Sequence, residues 1–298
     1  MTARVALVTG ASRGVGKGVA TALAAAGWTV YATGRSAERL QGTVDAAADA
    51  PGEIRPLECD HAHDERVAAV FSRISGEAGR LDLLVNNVWT NPKGFMGFNG
   101  RFWERPASDW DALIGIGLRA HYVACCEAAK VMVPQGSGLM VNISSFGSRA
   151  PFHTVLYGMS KTALDKMASD MAHELAGTGV STLSLWLGLM RTELILSLGM
   201  DDFNGFPLDR AEDPTFVGRV IAALAEDPAL AERSGSTVIT AEYGREHGIV
   251  NDDGQAPLSH RGSFGGGPLF PPVTDAQLGI DTVDEVAEAG GHNGFAGE

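Results

Sequence analysis

Cysteine is scarce in this chain, and basic residues are outnumbered by acidic ones. The three cysteines, Cys59, Cys125 and Cys126, have neither a disulfide-framework nor a metal-ligand spacing, and we assign the chain no metal site. Of the 298 residues, 23 are Lys or Arg and 36 are Asp or Glu, which gives a formal net charge of −13. Nucleic acids and anionic membranes attract clustered cations. We therefore expect neither a nucleic-acid partner nor a membrane partner.

Long apolar runs and a secretory signal are also missing from the sequence. No segment reaches a membrane-spanning length without charges, and the N-terminus leads straight into RVALVTG without a signal peptide. With so few cysteines, this predicts a soluble protein of the reducing cytoplasm. A composition of 45% hydrophobic and 20% charged residues suits one large domain. We assign it to residues 1–255 and predict a Gly- and Pro-rich arm or tail over residues 256–298.

Short runs rich in Val, Ile and Leu recur along the chain, with helix-like segments between them. The runs lie at residues 5–8, 30–32, 54–57, 81–85, 139–143, 180–186 and 237–239. Such alternation is typical of a parallel sheet that is covered on both faces. We predict an α/β fold, a doubly wound parallel sheet of the Rossmann type with about seven strands.

Two apolar segments interrupt this rhythm, at residues 90–106 and 194–210. Each would follow a strand at its carboxyl end, the edge where open α/β sheets bind ligands. We interpret them as a substrate wall and a lid, and assign the lid to residues 193–212 of the domain. Extra core that covers a sheet edge is the alternative.

The first apolar run is followed at once by TGASRGVGKG and an Ala-rich helix. Glycines let the backbone turn sharply and approach a pyrophosphate, whose charge is met by free N–H groups and the positive end of the helix. Strand, glycine turn and helix in this order favour a dinucleotide site over a structural turn. The candidate cofactor-binding residues of the loop are Gly10, Ser12, Arg13, Gly14, Val15 and Gly16, with Val15 directed into helix–sheet packing.

The end of the second apolar run, YATGRS, bears on the choice of cofactor. An acidic residue there would bind the ribose diol of NAD and exclude a 2′-phosphate, but the sequence has none. Arg35 can pair with a phosphate through its planar fork, and Arg13 is a second cation. The sequence therefore predicts NADP(H). Asp60, at the end of the third run, either receives the adenine amino group or caps the next helix.

Polar pairs end the fourth and fifth apolar runs. Asn86 and Asn87 suit the wall of a nicotinamide cleft, since asparagine satisfies stray backbone groups at a strand end. Ser144 and Ser145 follow at the same edge, and alternation along the strand sends them to opposite faces. One serine can thus face the cleft while the other stays structural.

Tyr157 and Lys161 stand four residues apart in YGMSK, within a stretch that is typical of one amphipathic helix, so both side chains share a face. An adjacent ammonium favours the phenolate and lowers the tyrosine pKa, so that Tyr157 can act as a general acid or base. By itself the spacing more often means a buried ring beside a solvated charge. The glycine loop and a nearby serine hydroxyl favour the functional interpretation.

TGASRGVG, the asparagine pair, VNISS and YGMSK occur in the order and spacing of the short-chain dehydrogenase/reductase family, which roughly the first 250 residues resemble. More narrowly, FWERPASDWD, IGLRAHY, KMASDMAHEL and EYGREHGIVNDDG resemble the branch of dehydrogenase/reductase SDR family member 1. The resemblance implies NADPH-dependent reduction of a ketone or aldehyde of broad scope.

The resemblance also implies residue roles. Tyr157 matches the family's proton donor, and Lys161 matches the lysine that binds the nicotinamide ribose and lowers the tyrosine pKa. The catalytic serine is then Ser145 rather than Ser144. Thr192 matches a threonine that contacts the nicotinamide carboxamide, although it could equally cap the lid helix.

Three positions depart from the family pattern. Val88-Trp89 replaces Ala-Gly and places an indole near the cleft. Leu187-Gly188 replaces Pro-Gly, so a fixed φ angle is lost next to the nicotinamide. Gly115 stands where the family has a fourth catalytic residue, an asparagine, so a water relay behind Lys161 loses a side-chain anchor.

The change at residue 115 keeps a second class of function open, an NADP(H)-binding sensor or scaffold with weak or no turnover. A dehydrogenase running in the oxidative direction is a further alternative, disfavoured by Arg35 because cells keep NADP reduced. Family members often pair through the two central helices, so we expect a homodimer or homotetramer. Its substrate would be a small, apolar carbonyl compound or alcohol.

Overall fold

A parallel sheet of seven strands forms the centre of the fold. The computed structural model describes residues 3–90, 101–151, 153–203, 205–267 and 269–270. The strands are β1 Val5–Val8, β2 Thr29–Gly34, β3 Glu53–Glu58, β4 Leu83–Asn86, β5 Gly138–Ser145, β6 Val180–Leu187, a separate hairpin of β7 Asp202–Phe203 and β8 Phe206–Pro207, and β9 Thr237–Ile239. The sheet order is β3-β2-β1-β4-β5-β6-β9, with parallel pairing throughout. This confirms the predicted doubly wound α/β sheet of about seven strands.

Helices cover both faces of this sheet. They are α1 Gly14–Ala25, α2 Ala37–Asp45, α3 Asp64–Ala78, α4 Ala120–Gln135, α5 Val155–Glu174, α6 Glu193–Leu196, α7 Pro214–Leu224, α8 Leu230–Arg233, α9 Thr240–Glu246 and α10 Arg261–Phe264. A π-helical segment, Asp111–Arg119, leads directly into α4. Within the described ranges, no helix is long and apolar enough to cross a membrane.

Alternating side chains of the strands supply one core on each face. Ala6 and Val8 of β1 belong to the core shared with α1 and α7, whereas Val5 and Leu7 belong to the core shared with α3 and α4. A slip of one residue would exchange the two sets, so burial strongly fixes the register of β1.

The order of the strands positions the candidate site. From β1 the chain moves outward to β2 and β3, and then returns to the other side of β1 as β4. The carboxyl ends of β1 and β4 therefore flank a crevice, where open α/β sheets bind ligands. At the same edge β5 and β6 end in Ser145 and Leu187, which are paired in register.

The lid region and the start of the predicted arm lie against each other. Residues 193–212 comprise α6, the β7–β8 hairpin and a 3-10 turn at Leu208–Arg210. In the region assigned to the arm, the N–H of Leu258 donates to the carbonyl oxygen of Arg210 at 3.0 Å.

Parts of the two predicted insertions and of the arm fall outside the described residues. These parts are residues 91–100 of the substrate wall, residue 204 of the lid, and residues 268 and 271–298 of the arm. The domain limits, the wall and the lid therefore stay predictions.

Candidate active site

The loop after β1 is closed tightly by two glycines. Gly10 has a φ of +67°, and a Cβ there would lie 2.9 Å from the Cα of Val88, so any larger residue meets both strain and a neighbouring backbone. A Cβ at Gly16 would lie 2.4 Å from the carbonyl oxygen of Gly10. The loop thus forms a narrow backbone cradle at the amino end of α1. Backbone free of side chains at the amino end of a helix is what the close approach of a pyrophosphate requires.

The two arginines that are expected to determine cofactor preference lie around this loop. A Cβ at Gly34 would lie 3.4 Å from the Cβ of Ser12, so the loop adjoins the end of β2. Arg13 and Arg35 are both exposed, and neither forms an ion pair with another residue in the described part of the chain. Val15 packs against the core shared with α1, as predicted.

Asp60 closes a turn of its own rather than capping a helix. Its Oδ1 accepts the N–H of Ala62 at 3.1 Å, and α3 has His63 at its N-cap position. The cap interpretation is therefore wrong, and the adenine contact stays a prediction.

The asparagine pair connects the strands behind the cleft. Asn87 donates through Nδ2 to the carbonyl oxygens of Thr9 and Gly10, both at 3.0 Å, and so holds the glycine loop against β4. Asn86 has no exposed surface and donates to Oδ1 of Asn142 at 3.0 Å. A wholly buried side chain cannot touch a cofactor, so we correct the prediction for Asn86. It supports the cleft from within the sheet.

Ser145, Tyr157 and Lys161 come together at the end of β5. The Ser145 hydroxyl lies 2.8 Å from the Tyr157 hydroxyl. Lys161 Nζ lies 5.6 Å from the centroid of the Tyr157 ring and donates to the carbonyl oxygen of Ile143 at 2.9 Å. Ser144 points to the other face, as predicted, and donates to the carbonyl oxygen of Lys161 at 3.3 Å.

Burial dominates the electrostatics of this group. It raises the pKa of Tyr157 to about 12, and the hydrogen bond with Ser145 only partly opposes the rise. It also lowers the pKa of Lys161 to about 8, against the attraction of Asp165. Desolvation of the phenolate raises the pKa of Tyr157 overall, so the net lowering predicted from the Lys161 charge is not seen in this structure. Tyr157 is consequently a protonated phenol at neutral pH.

Two rings meet Tyr157 edge-on. Trp89, the residue that departs from the family pattern, lies 6.1 Å from it between centroids at an angle of 86°. His153 lies 4.5 Å from it at 75°. The indole has room because a Cβ at Gly117 would already lie 3.3 Å from Trp89 Cδ1. The cleft wall at Tyr157 is therefore aromatic.

Gly115 lies within the π-helical segment, and its carbonyl oxygen accepts the N–H of Ala120, five residues on. Outside its own helix, a Cβ at Gly115 would meet no atom of the described residues within 4 Å, so this part of the chain leaves space where the family asparagine would project. Deeper in, Asn86 Oδ1, His121 Nδ1 and Asn142 Nδ2 are buried polar atoms without a hydrogen-bond partner among the described residues. Such groups are usually satisfied by internal water.

Helix α6, in the region predicted as a lid, reaches back to the glycine loop. Thr192 caps α6, with its Oγ1 accepting the N–H of Ile195 at 3.4 Å, and a Cβ at Gly14 would lie 3.5 Å from its Cγ2. The next residue, Glu193, accepts the N–H of Gly14 at 3.0 Å through Oε2. Thr192 thus takes the alternative role of a cap while it lies beside the predicted cofactor loop.

Sequence reasoning missed three ionisable residues of this site. Glu193 was identifiable as the neighbour of Thr192. Glu212 and His260 hold the backbone of residues 188–189 from 24 and 71 residues away, and no local pattern indicates such contacts.

A glycine cradle at the switch point of a doubly wound sheet, with a Ser-Tyr-Lys group at the adjacent strand end, defines a Rossmann-type oxidoreductase. Residues 4–201 match the family model for short chain dehydrogenase. The chain is 39% identical to dehydrogenase/reductase SDR family member 1 of Mus musculus over 86% of its own length and 85% of that protein. It belongs to the short-chain dehydrogenase/reductase family, and the resemblance to this branch is confirmed.

Other relatives and solved structures agree with this assignment. A 3-oxoacyl-[acyl-carrier-protein] reductase of Synechocystis is 30% identical over 80% of this chain and 95% of its own. A metagenomic short-chain oxidoreductase crystallised with NADP has a TM-score of 0.66 at 29% identity, over 80% of this chain and 97% of that one. A short-chain dehydrogenase/reductase from Mycobacterium marinum has a TM-score of 0.70 at 27% identity, over 80% and 94% respectively.

Proposed function

We propose that this protein reduces a ketone or aldehyde to an alcohol with NADPH. The observation that carries the proposal is the 2.8 Å contact between the hydroxyls of Ser145 and Tyr157, with Lys161 beside the Tyr157 ring. Two hydroxyls that meet at the carboxyl edge of the sheet can bind one carbonyl oxygen together.

NADP(H) is favoured over NAD(H) by one cation of the glycine loop and one directly after β2. Arg13 and Arg35 are exposed there, and the sequence offers no carboxylate for a ribose diol. A solved relative was crystallised with NADP. When bound, the nicotinamide supplies the hydride. The residues that would hold the cofactor are Gly10, Ser12, Arg13, Gly14, Val15, Gly16, Arg35, Asp60, Asn87, Tyr157, Lys161 and Thr192.

Tyr157 gives the carbonyl oxygen its proton. Because burial keeps its pKa near 12, the phenol is protonated when substrate arrives, which suits reduction. Ser145 holds the same oxygen by a hydrogen bond, and such a preorganised donor stabilises the developing charge. Lys161, still largely protonated at pH 7 with a pKa of about 8, then stabilises the phenolate that remains.

The surroundings of Tyr157 favour a small, apolar substrate. Trp89 and His153 present ring edges to the tyrosine, and burial lowers the pKa of His153 to about 4, so its ring is neutral. The relatives include an acyl-carrier-protein reductase and a 3β-hydroxysteroid dehydrogenase, whose names place a carbonyl or hydroxyl group on an apolar skeleton.

A homodimer or homotetramer is our proposal for the assembly. Large apolar side chains are exposed on α4 and α5, among them Tyr122, Val133, Val155 and Met159. Free thiols at all three cysteines suit the cytoplasmic location that we infer.

The alternative is an NADP(H)-binding sensor or scaffold with weak or no turnover. The open space at Gly115 favours it, because a proton relay behind Lys161 lacks the family's side-chain anchor there. The buried polar atoms of His121 and Asn142 can hydrogen-bond internal water in place of that anchor. We therefore rank the enzyme above the sensor or scaffold.

Loss of NADPH absorbance against a panel of ketones and aldehydes tests the proposal. Tyr157→Phe should lower kcat about 100-fold or more, while NADPH affinity changes little because the ring remains. NADH should be the poorer donor. Tight NADPH binding without turnover of any panel member would favour the sensor, and undiminished turnover by Tyr157→Phe would contradict the assigned proton donor.

A further inference from the structure

The turn after β6 is held by two buried side chains from distant parts of the chain. Glu212, only 1% exposed, accepts the N–H of Gly188 at 2.9 Å and the hydroxyl of Thr240 at 2.7 Å, both on Oε1. His260, 6% exposed, accepts the N–H of Leu189 at 3.1 Å on Nε2. Both backbone donors of this turn are thus fixed by side chains.

Gly188, at the centre of the turn, packs closely against both of these side chains. A Cβ at Gly188 would lie 2.9 Å from Glu212 Oε1 and 2.9 Å from His260 Cδ2. The backbone of Glu212 adds two hydrogen bonds at 2.8 Å, to the carbonyl oxygen of Leu189 and from the N–H of Arg191. The turn is therefore held through both the backbone and the side chain of Glu212.

His260 also connects the turn to the lid and to the catalytic strand. Its ring meets Phe206 of β8 edge-on at 4.6 Å between centroids, and meets Phe146, which follows Ser145, at 6.0 Å. The bond from Leu189 N–H requires an unprotonated Nε2, and burial lowers the pKa of His260, which keeps the ring neutral.

We propose that Glu212 and His260 are positioning residues that set the shape of the 188–189 turn for the nicotinamide end of the cofactor. They do what a proline does in most of the family, where the pyrrolidine ring fixes φ before the glycine. Leu187 does not fix that angle covalently, and the two residues after it are held by side chains from distant segments instead. The role rests on the proposed function and on the family resemblance, which implies that the nicotinamide lies next to this turn.

The first test replaces the acceptor and keeps the ring. His260→Phe preserves an aromatic ring against Phe206 and Phe146 but cannot accept the Leu189 N–H. We expect amide hydrogen exchange at Leu189 to accelerate about tenfold and the Kd for NADPH, from fluorescence titration, to rise about fivefold to tenfold. His260→Gln keeps an acceptor near the position of Nε2. It should therefore restore most of the slow exchange at Leu189 and most of the NADPH affinity.

The second test restores the proline. Leu187→Pro in the His260→Phe background should return the Kd for NADPH to within about twofold of the parent value, because a fixed φ replaces the lost bond. A purely structural role for His260 would show no such rescue. Urea unfolding of each variant shows that it is folded.

Two outcomes overturn the role, and they differ from failure of the proposed function. Unchanged exchange at Leu189 in His260→Phe, or no rescue by Leu187→Pro in a folded double variant, would contradict it while NADPH binding by the parent chain stands. Failure of the parent chain to bind NADPH would overturn the proposed function and this role together.

Discussion

Two sharp turns at the same edge of the sheet are held by different kinds of groups. The loop after β1 gets its shape from its own glycines and from the amide of Asn87, which directly follows β4 and donates to the carbonyl oxygens of Thr9 and Gly10. The turn after β6 gets its shape from Glu212 and His260, which come from distant segments. The first is shaped by glycines and one neutral amide and the second by two ionisable side chains, although the proposed cofactor would lie against both.

The difference has a consequence for how each turn responds to change. A loop shaped by closely packed glycines is sensitive to any side chain that fills its backbone space. A turn held by remote side chains responds instead to the ionisation and burial of those side chains.

Filling the glycine loop should have the largest effect. In Gly16→Ala the new Cβ would lie 2.4 Å from the carbonyl oxygen of Gly10 and from Asn87 Nδ2, so the loop must open and lose the bond from Asn87. We expect the Kd for NADPH to rise about 100-fold and the free energy of unfolding to fall by roughly 2–4 kcal/mol. Fluorescence titration measures the Kd, and urea unfolding measures the free energy of unfolding.

Gly42→Ala is the matched control for this change. Residue 42 is a helical glycine of α2 with no atom within 4 Å of an added Cβ, so alanine there should stabilise the protein by about 0.5–1 kcal/mol. A Gly16→Ala variant with the parent's NADPH affinity would show that the loop adapts, and would remove the contrast between the two turns.

What the sequence predicted and what it did not differ in how far apart along the chain the determining residues lie. The strands, the glycine loop and the shared face of Tyr157 and Lys161 follow from patterns within a few residues, and burial of the apolar face fixes them. The π-helical segment around Gly115 was not predicted, because periodicity does not distinguish a ladder of i to i−5 bonds from an α-helix. The burial of Asn86 and the high pKa of Tyr157 depend on which neighbours exclude water, which sequence spacing does not specify.

Ionisation of Glu212 should give the next largest effect, in stability rather than binding. Burial raises the pKa of Glu212 to about 7, whereas the unfolded chain loses this proton near the ordinary value of about 4.3. The folded state therefore binds more protons between these values, and stability contributed by this group falls as pH rises through 7. Glu212→Gln, neutral throughout, should gain roughly 2–3 kcal/mol relative to the parent chain between pH 5 and pH 8.

Urea unfolding at a series of pH values measures this gain in the free energy of unfolding. Glu242→Gln is a control in which the pH dependence should have the opposite sign. Arg261 lowers the pKa of Glu242, so that carboxylate stabilises the fold at high pH and loses its contribution in acid. Because glutamine keeps an acceptor for Gly188, Glu212→Gln should retain its NADPH affinity. A difference from the parent chain that does not vary with pH would show that Glu212 is ionised in both states.

The smallest effect is expected where the two turns meet. Glu193, in the region after the β6 turn that is predicted to be a lid, accepts the N–H of Gly14 in the glycine loop at 3.0 Å. A pyrophosphate in the cradle would compete for this donor and repel the carboxylate. Because the contact is exposed and screened by solvent, we expect Glu193→Gln to lower the Kd for NADPH only about threefold, and less at high salt. Glu226→Gln makes the same change in charge beside Arg4, before the amino end of β1, and should leave the Kd unchanged. Equal or weaker binding by Glu193→Gln would mean that the carboxylate does not oppose the cofactor and that the lid and the loop act independently.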